Sequence, residues 1–534
     1  MAFCRSSTSL LFYLTFSFLF ISSVASHVKK PFTGRNENGF VPSRRLAAEG
    51  PQAIVANSSF VLASGRTERR DPLNDFKDYT GGWNISNRHY WASVGFTAVP
   101  LFGIALVWFV IFGLILMISA CYYCCCRRPI HSYSRIAYAI SLISLILFTL
   151  AAIVGCVLLY NGQGKFHSST SNTLDYVVGQ AEFTVENLRD FSGNLSSAKR
   201  IKVTNLLISA DLQNKIDNIV KKVNTSADDL DRKTSDNSHN IRDVLGTVRL
   251  VLIIVAAVML LLAFLGFVFS VLGLQSLVYI LLLLGWLLVT ATFVLSGVFL
   301  LLHNVVGDTC VSMDEWVAHP SEHTALDDIL PCVDVATANQ SLFQSREVSY
   351  NLVEIVNNVI TGVCNSANPA IPFNQSGPPM PTLCNPFNKD LSNRTCSPGE
   401  VVLSNASQEW KKYECNATTV SGIEICRTVG RVTPTIYEQM DAAASVGFAL
   451  YHYGPFLVQL EDCSFVRETF NSISHNNCPG LRKYTKWVYI GLTLVSAAVM
   501  LSAILWVIYA RERRHRVFSK QHNFREVDAL MVDK

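Results

Sequence analysis

Charge is scarce in this 534-residue chain: Asp, Glu, Lys and Arg make up 16% of it, and apolar residues make up 50%. Soluble globular chains carry about a quarter charged residues, so the deficit needs a cause, and long uncharged apolar runs supply it. The net charge is only +4, and no basic stripe interleaved with aromatics stands apart from those runs. Nucleic acid is therefore not an expected partner. Catalytic motifs are missing as well. His303, His319, His323, His452 and His475 have no His-Glu-x-x-His or Gly-x-Ser-x-Gly pattern beside them. Pro320 interrupts the His319–His323 pair, and Asp327-Asp328 lacks the context of a calcium loop. No phosphate-cradling glycine loop occurs. The expectation is a protein that is not an enzyme, with no cofactor and no resident metal.

Five stretches exceed the ~18–20 apolar residues that cross a bilayer: Ser93–Ala120, Ile136–Tyr160, Leu250–Leu272, Leu277–Leu302 and Trp487–Ala510. The third and fourth, read as one helix, would reach ~80 Å, so residues 273–276 (Gly-Leu-Gln-Ser) are expected to turn. None of the five contains Asp, Glu, Lys, Arg or His. Ion pumps, proton-coupled carriers and voltage sensors place such groups inside the membrane. Matched broken helices, as in inverted-repeat transporters, are missing too. Pro100 falls in the first turn of span 1, where proline is tolerated. These runs read as anchors and packing surfaces before they read as a pathway.

Arg5, the apolar run Leu10–Ile21 and the small residues Val24-Ala25-Ser26 form a signal peptide over 1–26; an uncleaved signal anchor is the alternative. Residues 27–92 read as a polar external arm, with dibasic Arg44-Arg45 and Arg69-Arg70 as candidate cleavage points. The turn 121–135 carries Arg127, Arg128 and Arg135, and the tail 511–534 opens with Arg511, Arg513, Arg514 and Arg516. The positive-inside rule makes both cytosolic. Nine Asn-x-Ser/Thr sequons stand at Asn57, Asn84, Asn194, Asn224, Asn339, Asn374, Asn393, Asn405 and Asn416. All fall in segments that this topology puts outside. Tyr90, Trp91, Tyr122, Tyr123, Tyr484 and Trp487 mark the interfaces.

Between spans, residues 161–249 have no cysteine, and Leu188, Phe191, Leu195, Ala198, then Leu212, Ile216, Ile219, Val223 and Leu230, recur at helical spacing. A helical hairpin follows, projecting ~50–65 Å. Residues 303–486 differ: a helical pattern over Leu342–Val363, a Pro- and Asn-rich loop from Pro369 to Pro398, and a further helix from Pro434. Nine of the fifteen cysteines lie here: Cys310, Cys332, Cys364, Cys384, Cys396, Cys415, Cys426, Cys463 and Cys478. They permit at most four disulfides. Proximity suggests Cys364–Cys384 or Cys463–Cys478, but connectivity stays open, as does whether the odd one bridges two chains or stays buried. Cys121, Cys124, Cys125 and Cys126 beside Arg127-Arg128 are candidates for S-acylation. Zinc would need four ligands squeezed together with His131, and an apolar helix end explains the cysteines too. The tail arginines either attract anionic lipid or serve as a stop-transfer flank. The fold class is an all-α membrane protein: five transmembrane helices, a helical-hairpin ectodomain and a second, disulfide-stapled, mostly helical ectodomain.

This order of segments over residues ~90–534, with the Cys121–Arg128 cluster, resembles the pentaspan group of prominins, tweety-type proteins and the fungal plasma-membrane fusion protein. It is closest to plant transmembrane proteins labelled plasma-membrane-fusion-like. The resemblance implies a stalk continuing the membrane helices, a homodimer, a plasma-membrane location, and sterol or anionic lipid as partners. It implies a role in membrane shape, adhesion or fusion. An anion channel or lipid-handling protein of tweety type is the alternative, and a receptor subunit the third. No functional residue is carried over from the group.

Overall fold

The structure is a computed structural model that describes residues 60–125, 135–196, 210–320, 322–327, 329–330, 332–366, 374–420 and 422–532. The signal peptide, the arm as far as residue 59 with Arg44-Arg45 and Asn57, and Cys126, Arg127, Arg128, His131 and Ala198 lie outside them.

Uncharged Leu/Ile/Val runs must satisfy their backbone groups internally when water is scarce, and the helix does so. Five helical segments are long and apolar enough to cross a membrane. The first comprises α2 (Val99–Val107), a π-helical turn at Trp108–Phe112 and α3 (Gly113–Cys125). The others lie within α4 (Arg135–Ser196), α5 (Ala210–Leu272), α6 (Gln275–Ala318) and α10 (Cys478–Val532). The first crossing starts later than the apolar run suggested. Ser93–Phe96 belong to a separate helix, α1 (Arg88–Phe96), whose N-terminus is capped by the Asn87 side chain. Thr97 closes α1 by donating to the Val94 carbonyl, and Pro100, with no N–H to offer, starts α2.

The expected turn at 273–276 is present. Gly273 has a φ of +79°, and the Gly273 and Leu274 N–H groups both bond the Phe269 carbonyl, ending α5. The fifth crossing is the centre of the bundle, half buried over its most apolar stretch, whereas the first is only 17% buried. Close approach between α4 and α10 depends on small residues. A Cβ at Gly155 would sit 2.7 Å from Val495, and one at Gly491 would sit 2.9 Å from the Leu159 backbone.

The bundle has two ends, named here for what they carry. At the head end Asn304 donates to Thr97 and His303 meets Thr485; at the tail end Tyr138 meets Tyr509. α4 and α5 span 62 and 63 residues, so each continues past its apolar run toward the head as one rod of ~90 Å. Residues of the expected hairpin fall within α4 and α5 as far as they are described. The expected stripe is rotated slightly: Phe191, Leu195 and Val220 are buried, but Ile219 is exposed.

Those residues pack into a core with α7 (Val335–Val359) and α8 (Pro434–Glu461), including Leu352, Val353, Val356, Trp410, Met440 and Val446; the short α9 (Ser464–Ser472) leads from α8 toward α10. Ser349 donates to the Gly447 carbonyl and Ser345 to that of Leu450, clamping α7 to α8. The Pro-rich loop is held by asparagines acting like strand backbone. Asn357 exchanges two hydrogen bonds with Leu383, and Asn365 two with Met380. Strand β1 (Ala417–Val420) pairs antiparallel with β2 (Ile423–Cys426).

Two expectations fail here. Residues 60–92 are not a free arm: Leu62, Tyr79, Trp83, Tyr90 and Val94 are buried against Trp316, Leu326 and Cys463. Polar composition hid four large side chains whose burial outweighs the entropy of ordering the strap. The two pairs suggested by proximity, Cys364–Cys384 and Cys463–Cys478, do not form either. The bonds are Cys310–Cys478, Cys332–Cys463, Cys384–Cys396 and Cys415–Cys426. Antiparallel α6 and α10 bring distant cysteines together, which proximity in sequence does not register.

Candidate functional site

The densest charged constellation lies at the head end, beneath the strap 60–92. Asp308, on α6 just past the fourth apolar run, has no exposed surface. Arg69 donates to both its oxygens at 2.6 Å, Arg66 to Oδ1 at 2.9 Å and the Tyr90 hydroxyl to Oδ2 at 3.0 Å. Burial pushes the Tyr90 phenol well above its ordinary range, and the Asp308 charge and its hydrogen bond add to this. Gly307 makes room for the Arg66 guanidinium, which a Cβ there would strike. Around the clamp, Trp83 Nε1 donates to Thr309 at 3.0 Å and the Ala63 N–H to Glu315. Arg69-Arg70 is thus part of a folded strap, with the Arg69 side chain only 13% exposed.

A second pair locks the strap's own turn. His89 Nδ1 lies 2.6 Å from Asp71 Oδ2, and Asp71 Oδ1 accepts the Leu73 N–H at 2.9 Å. The geometry is that of a carboxylate orienting an imidazole, which sequence reading missed. Asp327 ties a further corner together, accepting from Trp316 Nε1 and from the N–H and hydroxyl of Thr324. Arg467 completes that corner, 3.9 Å from the Trp316 ring centre. His319 stacks near Phe60, the His323 carbonyl accepts the Phe60 N–H, and His452 stacks on Phe448. A shallow groove along α4 and α5 is lined by Glu182, Glu186, Arg189, Asp190 and Asp231, with Arg189 bridged to Asp228 and Asp231. Such exposed pairs contribute little.

Within the apolar layer, a seam of hydroxyls joins α6 to α10. Ser496 donates to Thr292 at 2.8 Å, and Ser296 and Thr493 share a 2.6 Å bond. Each hydroxyl finds a protein partner, as interhelical hydrogen bonds in membranes do.

Eight sequon asparagines are described, all on segments at the head end. Asn224, Asn339, Asn374, Asn393, Asn405 and Asn416 are exposed, and Asn84 and Asn194 are half-buried. The odd cysteine of the second region is Cys364, buried and unbonded, with its thiol pushed up to about 12 by burial. Cys121 is exposed near the tail end of α3, where Cys124 and Cys125 complete the helix. Among the described residues no cluster of three His, Cys, Asp or Glu could hold a metal. No protein-family model matches this chain, and no curated protein matches it.

Proposed function

We propose that the chain is a plasma-membrane pentaspan glycoprotein that organises membrane shape, adhesion or fusion, and that it works as a homodimer. In this reading the head end is extracellular and glycosylated, a signal peptide directs entry, and the tail is cytosolic. One observation carries it: α4 and α5 leave the apolar layer as unbroken rods and end in a disulfide-bonded head. Such a build transmits position and force from a surface to a bilayer. The hydroxyl seam between α6 and α10 supports the same reading, because its groups bond one another and leave none to line a path. S-acylation of Cys121, Cys124 and Cys125 belongs to the same reading, supported by their position on the last turns of one helix and by the exposure of Cys121. Pentaspan relationship to the prominin and tweety group remains part of this proposal, and rests on the shared layout.

Reconstitution into giant vesicles tests it. Vesicles carrying the protein head-outward should adhere to one another or change curvature with protein density. Reproducible single-channel currents, lost on substituting Thr292 or Ser496, would overturn the scaffold in favour of conduction.

A further inference from the structure

The tail end of the bundle holds polar groups that the protein itself does not satisfy. Gly266 lies against the Trp506 ring and Gly273 against the Arg513 side chain. The equal seven-residue steps show α5 and α10 running parallel, with Ser270 between those two levels. Ser270 and Trp506 have no exposed surface and Ser502 has 1%. The Ser270 and Ser502 hydroxyls, the Trp506 indole N–H and Arg513 Nη1 all lack a hydrogen-bond partner. Buried donors without partners are costly, and costlier where lipid replaces water. The C-terminus of α5 attracts a cation, which accounts for where Arg513 sits but leaves its Nη1 unbonded.

A second cation stands beside it. The Arg516 guanidinium lies 5.1 Å from the Tyr138 ring centre. Tyr138 and Tyr509 stack, with hydroxyls 2.7 Å apart. Both arginines lie within electrostatic reach of the Tyr509 hydroxyl. Two guanidinium groups, a phenol pair and a buried serine thus converge where the apolar run of α10 ends, which is headgroup depth.

We infer that this corner binds the phosphate of an anionic phospholipid, with Arg513 and Arg516 holding the phosphate oxygens between α5, α10 and the start of α4. Guanidinium groups suit phosphate because they donate two parallel hydrogen bonds. A diacyl lipid is favoured over free phosphate because the tyrosine pair and the adjoining apolar helices offer a surface for acyl chains. The site rests on the membrane reading above but not on which end faces the cytosol.

The test uses the intact, purified protein in detergent, with retained lipid counted by native mass spectrometry. Phosphatidylserine, phosphatidylcholine and inorganic phosphate serve as probes. Phosphatidylserine should be retained at one copy per chain, with phosphatidylcholine at least about fivefold weaker, because choline cancels the charge of the same phosphate and leaves no net negative headgroup to offset the two guanidinium groups. Arg513→Gln and Arg516→Gln should each lower retention by about fivefold or more. The double variant Arg511→Gln/Arg514→Gln, which removes twice the charge of either single variant from the same stretch of helix, should retain the lipid. Ser270→Ala, a change too small to threaten folding, should weaken retention modestly if Arg513→Gln disturbs the protein. A loss from Arg511→Gln/Arg514→Gln as large as that from Arg513→Gln or Arg516→Gln would reduce the effect to diffuse attraction and overturn the inference. So would displacement by millimolar inorganic phosphate, or retention indifferent to every substitution. Because detergent presents both ends of the bundle, a reversed topology would leave these results unchanged and would show instead in glycan mapping.

Discussion

Asp308 has no exposed surface, and two guanidinium groups and a phenol bond its side-chain oxygens there. Such a pair adds little over an apolar substitute, but removing one side strands the other. Asp308→Asn should therefore cost about 3 kcal/mol, concentrated in the strap. In detergent-solubilised protein this would be read as new tryptic cleavage after Arg69 or Arg70, sites the native strap protects. Tyr90 gives a pH signature. Burial first, then the Asp308 charge, raises its folded pKa above the unfolded value, so the neutral phenol is the form that folding favours. Its contribution is complete below about pH 10 and is lost as pH rises beyond that. Strap protection should fall at high pH in the wild type, and Tyr90→Phe should remove that alkaline step. Little of this was legible in sequence. Asp308 was one acid among several beyond a span, and nothing in a polar, Gly- and Arg-rich stretch announces two arginines converging on it. Cys364 is the opposite case. The odd count was visible, and only packing decided that the thiol is buried rather than bridging chains. It should resist maleimide in the native protein and react after denaturation.

At the scale of elements, two devices hold the crossings together. Glycines let α4 and α10 touch: Gly155 faces Val495, and Gly491 faces the Leu159 backbone. Gly491→Leu would drive a side chain into that backbone, which cannot swing away, and should destabilise by about 1–3 kcal/mol or more. A lowered melting temperature in detergent is the readout, with Gly164→Ala, where a Cβ meets nothing within 4 Å, as the unaffected control. The Cys310–Cys478 bond then joins α6 to α10 across a separation of 168 residues. Apolar runs of span length, the glycine turn at 273 and the Pro434 helix start were all readable, because each depends on composition or local chemistry. Which helix meets which was not. The α4–α10 contact and the long-range disulfides come from three-dimensional packing of segments hundreds of residues apart. Only the short-range bonds, Cys384–Cys396 and Cys415–Cys426, close within one loop or hairpin, at separations of 12 and 11.

For the whole molecule, contacts fix which segments share an end before any membrane is considered. Thr97, His303 and Thr485 meet at the head, while Tyr138, Gly273, Tyr509 and Arg513 gather at the tail. The arginine flanks at the tail and the sequons at the head then lean the same way, although each reports a different process. Arginine bias acts during insertion, glycan transfer needs the lumenal enzyme, and disulfides persist only in an oxidising compartment. With the head outside, glycosidase should remove several glycans, a C-terminal tag in sealed right-side-out vesicles should resist added protease, and non-reducing digestion should recover Cys310 linked to Cys478. If the bundle is inverted, all three must reverse together: no glycan shift, a protease-sensitive tag, and four pairs of free thiols at the head. A mixed result would show that one of the three signals had been misread, and the disulfide test would identify which, because it alone depends on the fold as well as the compartment.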